Sequence, residues 1–381
     1  MMQDQRNDAI DIIKGMAIIL MVYGHTFGAL RSFVYLFHMP VFFMVSGYCW
    51  NSRHSASRDS RQGYVFDKAR KLLVPMFTCY IAVILLRNVF VRLHFYSDDP
   101  AFLVAGDTAP ISQYNVMPES FHDMVVHCYQ TLIFKYEPPQ LGGPVWFLYA
   151  LFMVNVAHCY ITCCISKAKH RTTRIVLWGL VFIVFCYLAL VFSNGHGADY
   201  IEIRHLRLPA GFVCYLLGKN MGIIASSVSV RKKLAWFEVR SFFAWILCGT
   251  SIIGLCLLLP YGTLELSTAS IINPAFLAVS ALCGWSFLYT FALSVQKMRF
   301  SRLIEYTGKH TMSVVTLHLF AFKLVNWVIV RINHLPAYWV ASYPIIFSVS
   351  ESVKLIYTFV GVALPLLCSI GIRRLKGTVP K

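Results

Sequence analysis

The chain has 381 residues, of which 57% are hydrophobic and only 13% charged, and its mean hydropathy is +0.61. A soluble domain carries about a quarter charged residues, so this composition excludes one and points to an all-α polytopic membrane protein. The net charge of +17 would suggest a nucleic-acid partner in a soluble chain; here loop charges that follow the positive-inside rule account for it, and no nucleic acid is expected.

The N-terminal stretch "MMQDQRNDAIDIIKG" has acidic residues where a signal peptide needs a basic region, and no small-residue cleavage site follows. The first apolar segment is therefore read as a retained transmembrane helix. A spanning helix needs roughly 20 apolar residues. That length predicts about ten spans, over residues 9–30, 33–50, 72–95, 144–166, 174–193, 207–224, 241–260, 271–296, 311–330 and 351–372. With the N-terminus in the cytosol, 24 of the 34 Lys and Arg residues fall on the cytosolic side and 5 on the other. This asymmetry predicts both termini in the cytosol.

The longest loop, 96–143, is placed outside the cytosol. It carries Asp98, Asp99, Asp107, Glu119, Asp123 and Glu137 against Lys135 alone. Within it, "FHDMVVHCYQTLIF" has the amphipathic pattern of an interfacial helix. No internal repeat is visible, and the reading is one integral-membrane domain over 1–381 with no appended soluble domain.

Helix one holds Asp11, Lys14 and His25. Lys14 and His25 are eleven residues apart, about three turns plus roughly 20°, with about 16 Å of rise, so they share a face at different depths. Asp11 is placed to pair with Lys14. Ionisable residues within a bilayer usually face a bundle interior or wet cavity. One reading is a polar cavity with His25 as its reactive group; the other is an interfacial Asp11–Lys14 anchor with His25 hydrogen-bonded to a neighbouring helix.

Helix two, "FHMPVFFMVSG", sets His38 two residues before Pro40, which frees a backbone carbonyl and bends a helix. Ser46 and Gly47 are small enough for close helix contact. Lys68, Arg70 and Lys71 stand where the third helix begins, either as ordinary cytosolic charge or as a phosphate clamp. The 12 cysteines include no CxxC pair and read as small buried hydrophobes. His158 with Cys159 and Cys163 lacks a carboxylate or second histidine, so no metal site is expected.

These segments resemble the integral-membrane acyltransferase 3 family. Lys14, ten residues and His25 fit its Arg/Lys–ten residues–His pattern. "DIIKGMAIILMVYGH" and "FHMPVFFMVSGY" resemble the branch of fucose 4-O-acetylase-like sugar O-acetyltransferases. "GPVWFLYALF", with Trp146, is similar to the family's W-F-L segment, and "LRLPAGFVCYLLGK" to a later one. "GKHTMSVVTLHLF", with His318, is similar to its penultimate-helix signature. The matches run in order over most of the chain. Two departures stand out: the family's Arg-x-x-Arg reads Lys68-Ala69-Arg70-Lys71, and the extracytoplasmic esterase-like domain of some members is absent.

The resemblance implies acyl transfer, with acetyl-CoA as a cytosolic donor substrate, no permanently bound cofactor, and the hydroxyl of a sugar, lipid-linked glycan or surface polysaccharide as acceptor. Lys14 and His25 would form the catalytic core, with His25 as general base. His38, Ser46 or a freed N–H would meet the oxyanion, and Lys68, Arg70 and Lys71 would hold the donor's phosphates. Asp11, Trp146 and His318 would support them. Glu202, Glu265 and Glu351 are candidates for an acidic partner of His25. The expected location is the plasma membrane, the inner membrane of a bacterium, with a second copy or glycan-synthesis machinery as partner. The alternative is a ten-helix transporter using the intramembrane Asp/Lys/His series.

Overall fold

A computed structural model describes residues 8–99, 101, 116–138, 140–193, 203–226, 241–346 and 348–375. Arg6, Glu202, Arg231, Lys232, Lys233, Arg240, Lys376 and Lys381 lie outside the described residues, as does Asp107 of the long loop.

In chain order the helices begin with α1 (Asp8–Gly24), α2 (Arg31–Tyr35), α3 (His38–Tyr48) and α4 (Arg58–Lys68). A π-turn over Ala69–Leu73 leads to α5 (Val74–Leu85) and α6 (Arg87–Arg92), and α7 is Phe121–Leu132. Long helices follow: α8 (Trp146–Ser166), α9 (Arg171–Val191), α10 (Leu208–Ser226), α11 (Ser241–Leu258) and α12 (Pro274–Val295). The last three are α13 (Ser301–Lys309), α14 (Thr311–Ile332) and α15 (Glu351–Leu375). No strand occurs among the described residues.

Seven helical stretches among the described residues are long and apolar enough to cross a membrane. They coincide within a few residues with the last seven predicted spans. The first three predicted spans are built from shorter pieces. Helix α1 has 17 residues and ends at Gly24. The second segment divides into α2, of 5 residues, and α3, of 11. At about 1.5 Å per residue, α3 covers only half of a hydrocarbon core roughly 30 Å thick. Pro40 explains the division: it has no N–H to return to Leu36, and it is tolerated in the first turn of α3, where a donor would be unpaired anyway. The third segment breaks at Leu86, between α5 and α6.

The helices form two compact units. The first comprises Met1–Met21, Ser32–Leu73 and Phe147–Lys309. At its centre α3 lies against α10, and the approach needs glycine on both sides. A β-carbon on Gly47 would collide with the Tyr215 carbonyl, and one on Gly218 with the Met44 carbonyl. Small residues let membrane helices approach backbone to backbone, so Gly47 packs as its sequence context suggested.

The second unit comprises Val22–Arg31, Val74–Trp146 and His310–Lys381. Its core pairs α14 with α15. Lys323 of α14 is fully buried and donates to the carbonyls of Ala341 (2.7 Å) and Ser342 (2.8 Å). Asn326 donates to Val340 and Ser342, each at 3.0 Å, and accepts from the Tyr357 hydroxyl at 2.6 Å. The same unit holds the predicted amphipathic helix as α7, capped by the Ser120 side chain, which accepts from the Asp123 N–H. The Glu119 carboxylate, just before α7, pairs with Arg87 and meets His127 Nδ1 at 3.0 Å.

Candidate active site

His25 follows the last residue of α1, at the start of a turn. Both the backbone N–H and the hydroxyl of Thr26 donate to the Tyr23 carbonyl, at 2.9 and 2.7 Å. Phe27 turns the chain with a φ of 55°. The first turn of α15 then grips this loop. Glu351 accepts from the Ala29 N–H at 3.2 Å, Lys354 donates to the Phe27 carbonyl at 3.2 Å, and the two charges pair at 2.8 Å. Of the carboxylates considered as partners for His25, Glu351 is thus spent on holding the backbone of its turn. Glu265, in the other unit, accepts from Ser267 at 3.1 Å.

The ring of His25 lies against that of His318 on α14, with centroids 5.1 Å apart and planes inclined by 33°. His318 is fully buried. Its Nδ1 lies 2.9 Å from the Val314 carbonyl, which can only accept. The proton therefore sits on Nδ1, and Nε2 of a neutral ring carries the lone pair. That Nε2 has no hydrogen-bond partner among the described residues. A fixed acceptor beside a second imidazole suits handling of a hydroxyl proton. His318, expected only as support, is the histidine placed in contact with His25.

His38 has a local partner instead. Its Nδ1 donates to the Val34 carbonyl at 2.9 Å, across the break between α2 and α3. Its ring is buried and lies 4.9 Å from that of Tyr35. Trp146 is buried at the first position of α8.

In the first unit, Asp11 is buried and pairs with Lys14 at 2.6 Å, as the three-residue spacing predicted. Asp11, Lys14 and Lys68 are all near enough to the Cys49 thiol to interact with it electrostatically. Lys68 holds its ammonium 5.4 Å above the Tyr64 ring. Burial pushes Lys68 below the ordinary lysine pKa, and the neighbouring Lys71 pushes the same way. Arg70 and Lys71 are exposed on the π-turn, and Lys71 pairs with Asp67 at 2.9 Å. Of the predicted basic cluster, then, Lys68 is the member turned into the protein.

Beside Lys68 is a polar centre that sequence reasoning missed. The buried Asn155 of α8 accepts from the Ser46 hydroxyl at 3.0 Å and the Tyr64 hydroxyl at 2.7 Å. Its amide donates to the Leu151 carbonyl at 2.7 Å, which fixes its orientation. An Asn inside an apolar helix was the available signal. His158, one turn along α8, sits among the rings of Trp50 (4.5 Å), Tyr215 (4.8 Å) and Trp178 (5.3 Å).

Comparison with protein families places these observations. The profile of the acyltransferase domain of the acyltransferase 3 family matches residues 7–373. No curated protein matches the chain. The profile covers helices α1 to α14 whole and nearly all of α15, including both histidines of the close pair. The chain belongs to the acyltransferase 3 family, and is a multi-pass membrane acyltransferase.

Proposed function

We propose that this enzyme transfers an acetyl group from cytosolic acetyl-CoA to a hydroxyl of a sugar, lipid-linked glycan or cell-surface polysaccharide. The observation that carries the reading is the His25–His318 ring contact, with the His318 proton held on Nδ1 by Val314. In this reading His25 takes the proton of the acceptor hydroxyl as its oxygen bonds to the thioester carbonyl carbon. The C–S bond then breaks, and the leaving thiolate recovers the proton. General-base assistance of this kind typically contributes about 10²–10⁴-fold. His318 orients the base, and His38 braces the helix break before Pro40.

Donor capture falls to Lys68, Arg70 and Lys71, whose charges suit the phosphates of CoA. Lys14 completes the family's basic–His spacing and is held by Asp11. The expected setting is a plasma membrane, a bacterial inner membrane, with both termini cytosolic and a second copy or glycan-assembly proteins as neighbours. A transporter reading gains nothing from the family assignment.

The test is calorimetric titration of the purified chain with acetyl-CoA, alongside a Lys68/Arg70/Lys71 triple-Ala variant and His25→Ala. Expected are binding by wild type and His25→Ala, and loss in the triple variant. No binding by folded wild type would sink acetyl-CoA as donor.

A further inference from the structure

Helices α9 and α10 face each other in the first unit across a cavity of about 440 Å³. Trp178, Gly179 and Phe182 line it from α9, and Leu216, Lys219 and Asn220 from α10. The spacings of three and four residues put each set on one helix face. A β-carbon on Gly179 would meet nothing within 4 Å, so the glycine leaves the space open. The volume falls in the range of small-ligand sites, roughly 300–1,000 Å³.

The charged residue of this groove is Lys219. Its ammonium lies 3.4 Å from the centroid of the Trp178 ring. The indole face holds the cation in place without using its three N–H donors. No hydrogen bond or ion pair engages those donors among the described residues, and no carboxylate lines the cavity. A half-buried ammonium without an anion is costly.

Charge at the groove's end says what would supply the anion. Trp178 lies seven residues from Arg171, where α9 begins, and Lys219 seven residues from Ser226, where α10 ends. Each is about 10 Å inside that end. Arg171 and Arg174 are exposed in the first turn of α9, just after Lys167 and Lys169. Apart from Asn220 the remaining walls are apolar, and Ala189 alone among the residues of α9 is buried. A ligand that suits all of this has a phosphate, a net negative charge and a hydrocarbon chain.

We propose that the α9–α10 groove is a binding site for one anionic phospholipid. Its phosphate sits on Lys219 and Asn220, and its chain lies along Phe182 and Leu216. Arg174, exposed one turn before Trp178, favours an anionic headgroup over one bearing a quaternary amine. This reading does not depend on the proposed acyl-transfer chemistry.

The experiment is native mass spectrometry of the full chain in detergent, titrated with phosphatidylglycerol and with phosphatidylcholine of the same chains. Wild type should hold phosphatidylglycerol about ten-fold more tightly, the scale of one added charge-assisted hydrogen bond. Lys219→Ala should weaken both lipids, Lys219→Arg should keep both, and Arg174→Ala should erase the preference. Gly179→Leu should weaken both lipids. Equal binding of the two lipids by wild type, lipid binding unchanged by Lys219→Ala, or a preference that survives Arg174→Ala, overturns the proposal. So does displacement of the lipid by acetyl-CoA, which would assign the groove to the donor. Helix content by circular dichroism qualifies each variant, and Arg174→Ala, at an exposed position, decides the matter if Lys219→Ala does not fold.

Discussion

The imidazoles of His25 and His318 lie 5.1 Å apart, centroid to centroid, although 292 positions separate them in the chain. One follows the end of a helix near the start of the sequence; the other is fully buried in the middle of α14. Only one ring of such a pair takes up a proton without repelling the other. The pair is thus suited to moving a single proton.

That relationship gives the first prediction. His25→Ala should lower turnover by about 10²–10⁴-fold with little change in donor binding. His318→Ala should lower it as well. His318→Asn keeps a side-chain donor for the Val314 carbonyl but removes the Nε2 lone pair. Its rate should match His318→Ala if the lone pair matters, and wild type if only the anchor does. Acyl transfer to a model sugar, with turnover and KM read separately, decides.

The second concerns pH. Lys68 has a lowered pKa, from burial first and from Lys71. A cation so shifted loses its charge before an ordinary lysine, whose value is 10.5. Acetyl-CoA affinity should therefore fall as pH rises through the lowered value, while exposed lysines are still charged. Lys68→Arg should remove that loss, because guanidinium stays protonated throughout. Affinity measured from neutral to alkaline pH checks this. For stability the sign is opposite. The unfolded state binds more protons between the lowered value and 10.5, so this group's contribution to stability rises with pH across that window.

The third concerns Asn155. Asn155→Leu removes the acceptor of both the Ser46 and the Tyr64 hydroxyls. A buried polar group left unpaired costs about 1–3 kcal/mol. Thermal unfolding in detergent should shift down, and Tyr64→Phe in that background should recover part of the loss.

How much of this was legible in the sequence follows from the physics of each feature. Seven spans were visible because long apolar runs need no tertiary information. The division of the second segment was half visible: Pro40 announced a disturbance, but not that the chain would stop and restart around it. Asp11 with Lys14 followed from helix spacing. The approach of His318 to His25, and of Ser46 and Tyr64 to Asn155, could not be read from spacing, since each joins distant segments. His38 looked equivalent to His25 in sequence, and a backbone carbonyl four residues away sets it apart.

A fourth prediction comes from the α3–α10 crossing. Gly218→Ala would drive a methyl group into the Met44 carbonyl. Overpacking typically costs about 1–3 kcal/mol, and here the obstacle is backbone, which cannot rotate away. A lowered melting midpoint is expected, whereas Gly179→Ala, with open space around it, should leave the midpoint unchanged.

The grip of Glu351 and Lys354 on residues 27 to 29 reaches further than local rigidity. The turn beside His25 is translated early, but its fasteners arrive with the last helix. A ribosome that has made the first three hundred residues has produced this turn without the two side chains that fasten it. The order of synthesis thus leaves the backbone of residues 27 to 29 without these partners until α15 is made.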